Sequence, residues 1–148
     1  MSAARPHRVL VVANETLASD TVCALIERVA DGASVLIVAP ALTSRLAFWA
    51  SADSGARRDA EERLAACLTV LRRSRIDAAG RVGDANPLLA VEDALRLFPA
   101  DEIIVATHPE SRSNWLAHNI VLRVRERVDR PVHHVVVDTS LGREYVAA

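Results

Sequence analysis

The chain reads as an α/β protein, a doubly wound, five-stranded parallel sheet in the order 3-2-1-4-5 with helices on both faces. Three observations predict it. Short apolar runs alternate with longer amphipathic segments along the sequence. The runs VLVVA, SVLIVA, EIIVAT and VHHVVVD are rich in Val and Ile over most of their length, as strands covered on both faces are. Aromatic residues are only 3% of the chain, so the core must come from Val, Leu, Ile and Ala, which suits such a sheet packed against Ala-rich helices.

Each element has its own signal. Arg8–Ala13 is the first strand; a helix from about Ser19 to Ala30 follows, with Val22, Leu25, Ile26 and Val29 on one face. Asp31-Gly32 ends it, glycine suiting the left-handed position after a helix. Ser34–Ala39 is the second strand. Pro40–Gly55, with Phe48 and Trp49, reads as the longest loop, either a lid, a dimer contact or a plug over the sheet. The second helix runs from Arg57 to Arg73 with Ala60, Leu64, Leu68 and Leu71 inward, and Ile76–Val82 is the third strand. Asn86 and Pro87 specify the next helix start, Asn86 as an acceptor for a free helix NH and Pro87 at the first helical position. Leu88, Val91, Leu95 and Phe98 form its stripe until Pro99. Glu102–Thr107 is the fourth strand, helical spacing resumes after Ser113 with Leu116, Ile120, Val124 and Val128, and Val132–Asp138 is the last strand. The whole chain, 1–148, is expected to be one domain, with 1–7 and 139–148 as flexible or partner-ordered tails.

Composition excludes several classes. With 148 residues, 51% of them hydrophobic, the chain is long enough for one full core. A formal charge of −1 argues against a nucleic-acid binder. No apolar run reaches spanning length and MSAARPHR lacks the apolar stretch of a signal peptide, so the expected compartment is the cytoplasm, away from membranes. All 18 basic residues are arginine. The absence of lysine removes Walker A, kinase, Schiff-base and Ser-Lys chemistry, and leaves arginine, backbone NH groups, hydroxyls or a metal to handle anions.

In an open sheet of this order the ligand crevice lies beyond the carboxyl ends of the strands where the chain reverses direction, between strands one and four. Ala13-Asn14-Glu15, Val38-Ala39-Pro40 and Thr107–Asn114 would line it. The segment Ser111-Arg112-Ser113-Asn114 precedes a helix start, where free NH groups and the helix dipole favour anions, and Arg112 offers a bidentate phosphate contact. The same residues also fit simple helix capping with a solvated Arg112, and both readings stay open.

The Gly83-Asp84-Ala85-Asn86-Pro87 turn, the helix VEDALRLF, the strand DEIIVATH and the closing RERVDRPVHHVVV resemble the universal stress protein family, over nearly the whole chain in element order and most specifically after Val82. The lysine-free, Arg- and Ala-rich composition is similar to an actinobacterial-type branch. The resemblance implies the adenine nucleotide alpha hydrolase-like version of the fold, frequent dimerisation, and ATP-binding and non-ATP-binding members. The ATP-binding type carries glycine, two residues, glycine, nine residues, then glycine followed by Ser or Thr. Here Ala106, Pro109, Asn119 and Ile120 hold those places, so the spacing is kept and the glycines and hydroxyl are not. Pro109 has no NH to donate and Ile120 no side-chain hydrogen bond. Asn14 stands where the family usually has Asp and can still accept a bond from ribose or adenine. The implied function is a regulatory or small-molecule-binding module, without ATP binding or with altered nucleotide or phosphate binding. ATP, AMP or another phosphate-bearing ligand would contact Asn14, Val38, Ala39, Thr107, His108, Ser111, Arg112, Ser113, Asn114 and Asn119. The alternative is an enzyme acting on a phosphorylated or adenylated small molecule, with Arg112 on the anion and His108 as acid or base.

Other constellations are weaker. His108, His118 and Glu110 match no established zinc spacing. Ser111 or Ser113 with His108 and Asp84 lacks a GxSxG elbow, and a receiver-type phosphoacceptor site lacks its lysine. His133 and His134 are adjacent on a strand and must point to opposite faces. Cys23 and Cys67 read as buried free thiols; their helices fall on one side of the proposed sheet, so a redox pair is the alternative. The Val-rich last strand reads as a sheet edge for a homodimer, with covering by the C-terminal tail as the alternative. Beyond such a dimer, the sequence names no protein partner.

Overall fold

A computed structural model of the chain describes residues 6–13, 17, 20–40, 53–84, 86–107, 120–138 and 143–146. In chain order these form β1 (His7–Val12), α1 (Asp20–Val29), β2 (Ala33–Pro40), α2 (Asp53–Arg73), β3 (Asp77–Gly83), α3 (Pro87–Leu97), β4 (Glu102–Thr107), α4 (Ile120–Arg127), β5 (Val132–Asp138) and β6 (Arg143–Val146). The sheet order is β3-β2-β1-β4-β5-β6. The first five strands are parallel, in the expected order 3-2-1-4-5.

Element ends shift by a residue or so from the sequence reading, and two differences are larger. β6 pairs antiparallel with β5, from Val135↔Val146 to Asp138↔Arg143, so β5 is not the sheet edge and Arg143–Val146 are ordered against their own chain. A homodimer through the free edge of β5 is therefore corrected: that edge already has a strand on it. The stretch taken as a loop from Pro40 to Gly55 is also shortened at both ends, because Pro40 closes β2 opposite Gly83 and α2 begins at Asp53. Phe48 and Trp49 lie outside the described residues.

The core has two layers, one on each face of the sheet. Val9, Val11, Val35 and Ile37 face Val22, Ile26, Ala60, Leu64 and Leu71 of α1 and α2. Leu10, Val12, Leu36, Val38, Ile103 and Val105 face Ala90, Val91, Ala94, Val121 and Val124 of α3 and α4. Alternation along each strand thus feeds both layers, which is why the strands read as unbroken apolar runs. On α3 the buried side centres on Ala90, Val91 and Ala94, and Leu88, Leu95 and Phe98 of the expected stripe pack partly buried against the same layer. The reason is close approach. A Cβ on Gly83 would stand 2.7 Å from Ala90 Cβ and 3.0 Å from Val38 Cγ1, so α3 comes down on the sheet through small residues.

The turns follow the local chemistry. Gly32 adopts φ 73° after α1, as expected. Asn86 caps α3 by accepting from Leu88 NH at 3.0 Å, with Pro87 at the first turn, and Asp84 Oδ1 accepts from Asn86 NH at 2.8 Å. Before β4, Asp101 locks onto β1: its carboxylate accepts from Arg8 NH at 2.9 Å and its own NH donates to Arg8 carbonyl at 2.8 Å. This clamp holds the start of β4 beside β1, the two strands that border the expected crevice.

Candidate functional site

β1 and β4 lie side by side, in register up to Val12↔Val105, and the chain leaves them toward opposite edges of the sheet. Their carboxyl ends, with that of β2, form the candidate site. Ala13 NH donates to Val38 carbonyl at 3.1 Å, which carries the β1–β2 pairing one residue past the strand. Of the sequence-predicted residues, Val38, Ala39 and Thr107 sit at these adjacent strand ends. Asn14, His108, Ser111, Arg112, Ser113, Asn114 and Asn119 lie outside the described residues.

The described floor of the site is apolar. Ala13, Val38 and Ala39 are fully buried, Ala106 and Leu17 nearly so, and Thr107 is the polar side chain among them. Val38 and Ala39 can offer a ligand only backbone groups and van der Waals surface.

Thr107 is not simply solvated: its hydroxyl lies 2.7 Å from His134 Nε2, a buried contact that runs diagonally from β4 to β5, since Thr107 is registered with Val136 and His134 with Val105. His134 is 6% exposed on the α3–α4 face, whereas the His133 side chain is 48% exposed near Glu102. The two histidines point apart, as strand alternation requires. Burial, and then the Arg125 guanidinium, hold His134 below its ordinary pKa, so the neutral imidazole is favoured. Arg125 itself donates to Val132 carbonyl at 3.2 Å. The sequence signal for this pair was parity: His134 shares the inward face of β5 with Val136, and only a polar partner such as Thr107 makes that position tolerable.

The other named candidates separate. Asp84 is exposed and engaged in the turn before α3. Among the described residues no group of three or more His, Cys, Asp and Glu side chains is placed to hold a metal ion. An open cavity of about 700 Å³ lies at the opposite end of the sheet, lined in part by Glu27, Ser34, Ser74, Arg75 and Asp77. Its hydroxyls are engaged locally, Ser34 donating to Asp77 at 2.7 Å and Ser74 to Glu27 at 3.0 Å, so it has the character of a solvated seam between turns. Among the described residues no helix is long and apolar enough to cross a membrane.

This architecture has known counterparts. A universal stress protein family structure from Burkholderia pseudomallei superposes with a TM-score of 0.61 at 15% identity, over 90% of this chain and 98% of that one. The chain has the universal stress protein fold. A universal stress protein from Archaeoglobus fulgidus gives a TM-score of 0.60 at 15% identity, over 86% and 92% of the two chains. An Arabidopsis thaliana universal stress protein family structure with AMP bound gives 0.59 at 10% identity, over 92% and 95%. No protein-family model and no curated protein matches the sequence. The likeness is thus one of fold, at identities where residue roles do not transfer.

Proposed function

We propose that the chain is a universal-stress-protein-like binding module that takes a phosphate-bearing nucleotide in the crevice at the ends of β1, β2 and β4, by contacts different from the family's glycine-rich site. The observation that carries the reading is the combination of fold and substitution. Proteins of this fold include one with AMP bound and one in complex with cAMP. In this chain Ala106, Pro109, Asn119 and Ile120 stand where the resemblance calls for glycines and a hydroxyl. Ala106 is buried in the α1–α2 layer, so its side chain belongs to the core. Arg112, with Ser111 and Ser113, supplies the anion-binding chemistry in that arrangement, and Asn14 the sugar or base contact.

The module is a binder rather than a catalyst, in this reading, because the described floor holds one hydroxyl and no carboxylate. Titration calorimetry with AMP, cAMP, ATP and inorganic phosphate tests it. AMP or cAMP should bind the wild type, and Arg112→Ala should weaken binding about 10-fold or more, the loss of a charge-assisted contact, without lowering the melting temperature of the empty protein. No binding of any of the four, or unchanged affinity in Arg112→Ala, would overturn this reading. Nucleotide turnover that disappears in His108→Ala would replace it with the enzyme alternative.

A further inference from the structure

The chain contains two cysteines, and they meet. Cys23 on α1 and Cys67 on α2 are 44 residues apart, yet their Sγ atoms lie 3.3 Å from each other, within hydrogen-bond distance for sulfur. Both are free thiols, 7% and 1% exposed, within the layer that α1 and α2 share. Apolar packing alone would be served by any small hydrophobic residue at either place, and does not require sulfur opposite sulfur. A disulfide bond is about 2.05 Å long, so closing the pair needs a movement of roughly 1.2 Å, within the reach of side-chain rotation and a slight approach of two packed helices.

We propose that Cys23 and Cys67 form an oxidation site, closing to an intrachain disulfide that fastens α1 to α2 when the protein meets a peroxide. Cys23, the more exposed residue of the pair, reacts first. Its thiolate attacks one peroxide oxygen, the O–O bond breaks, and the departing hydroxide takes up the proton released from the thiol to leave as water. The Cys23 sulfenic acid is then attacked by Cys67 sulfur; the S–S bond forms, the S–O bond breaks, and the Cys67 proton leaves with that oxygen as a second water. The dithiol has lost two electrons and two protons, and hydrogen peroxide has become two waters.

The surroundings set the rate. The hydrogen bond with Cys23, burial, and the charges of Cys23 and Glu27 all push the Cys67 thiol well above its usual range. The Cys67 thiolate is therefore scarce in the closed fold, and the closing step proceeds through openings of the α1–α2 contact. A slow, structure-gated disulfide follows, resistant to brief exposure and formed on sustained exposure. It joins the helices that follow β1 and β2, the strands whose carboxyl ends border the candidate crevice.

The test uses the full reduced chain under native conditions, exposed to hydrogen peroxide for increasing times, then denatured with an alkylating agent. Peptide mapping should recover the Cys23 and Cys67 peptides joined within one chain, with loss of two hydrogens from the intact mass. The oxidised protein should melt about 5–10 °C higher, and dithiothreitol should reverse both changes. In Cys67→Ser a sulfenic-acid probe should label Cys23, and the thermal shift should be absent. Oxygen addition without the cross-link, a cross-link only between chains, or one that forms only after denaturation would each overturn the proposal. The mapping on the wild type decides the matter even where the serine variant folds poorly.

Discussion

The hydroxyl of Thr107, at the carboxyl end of β4, is hydrogen-bonded at 2.7 Å to Nε2 of His134 on β5, with both side chains buried. One residue of the candidate crevice is thereby tied to a titratable group behind it. Replacing Thr107 by Val keeps the shape and deletes the partner, leaving the imidazole nitrogen unsatisfied at a cost of about 1–3 kcal/mol. Urea unfolding of Thr107→Val at neutral pH measures that cost; a midpoint equal to wild type would show that the contact contributes nothing.

The same pair predicts a pH dependence. Burial and Arg125 lower the folded pKa of His134 below its ordinary value. As pH falls below the unfolded value of about 6.5, the unfolded chain takes up a proton that the native state resists. Stability therefore drops through the interval down to the folded pKa and is level above about 6.5. His7 and His133 are exposed beside Asp101 and Glu102 and are present in both backgrounds, so the difference between wild type and His134→Gln isolates the buried group. Thermal melts from about pH 5 to about pH 8 should show a shallower acid-side decline in His134→Gln. Parallel curves would exclude His134 as the source.

Gly83 and Ala90 make a second test, of the small-residue contact that seats α3. Adding a Cβ at Gly83 puts it 2.7 Å from Ala90 Cβ, so Gly83→Ala should destabilise by about 1–3 kcal/mol. Ala90→Gly costs about 1 kcal/mol through helix propensity but opens the space. The double variant should then be more stable than the sum of the two single losses predicts, a coupling visible in a denaturant cycle. Strict additivity would mean the clash is relieved elsewhere.

What the sequence made legible, and what it did not, divides along physical lines. Strand order came from the β-α alternation and right-handed crossovers, and the Asn86 cap from one polar side chain ahead of Pro87. These are short-range signals or topological rules, and they carry. The α3 stripe was placed on Leu88, Val91, Leu95 and Phe98 because hydrophobicity favours large side chains, while the actual contact is set by the distance between Gly83 and Ala90, which no single-segment pattern contains. Cover of the last strand by the C-terminal tail was the alternative reading and is what the structure shows, but β6 was not marked as a strand, because REYV has no periodicity of its own. In the candidate site, Thr107 was recognised from its strand end, but its partner was not, since the link between residues 27 apart exists only through the β4–β5 register.

β6 itself predicts a change in association. Removing 139–148 uncovers the backbone NH and carbonyl groups of Val135–Asp138 that β6 engages. A Val-rich edge strand without cover pairs readily with another chain. Size-exclusion chromatography with light scattering should therefore report a larger mass for the truncated protein than for the full chain at the same concentration. Equal masses would show that β6 is not what keeps this edge closed.

Arg75 offers the opposite kind of variant, one that stabilises. It follows α2 with φ 60°, the left-handed region that costs a residue with a Cβ about 1–2 kcal/mol. Around it the helix ends with Ile76 NH donating to Leu71 carbonyl at 3.1 Å and Arg75 NH to Arg72 carbonyl at 3.0 Å, a closing turn in which glycine is the usual residue. α1 ends in a comparable place with Gly32 at φ 73°. Arg75 is exposed, so its side chain contributes little packing to set against that strain. Arg75→Gly removes the strain while freeing the unfolded chain, two effects of opposite sign, and the first is the larger at a left-handed position. The net gain should be about 0.5–1 kcal/mol, a rise of a few degrees in melting temperature. Arg75→Ala, which keeps the Cβ, should show no such rise; a gain shared by both variants would trace the effect to loss of the arginine charge and not to the backbone.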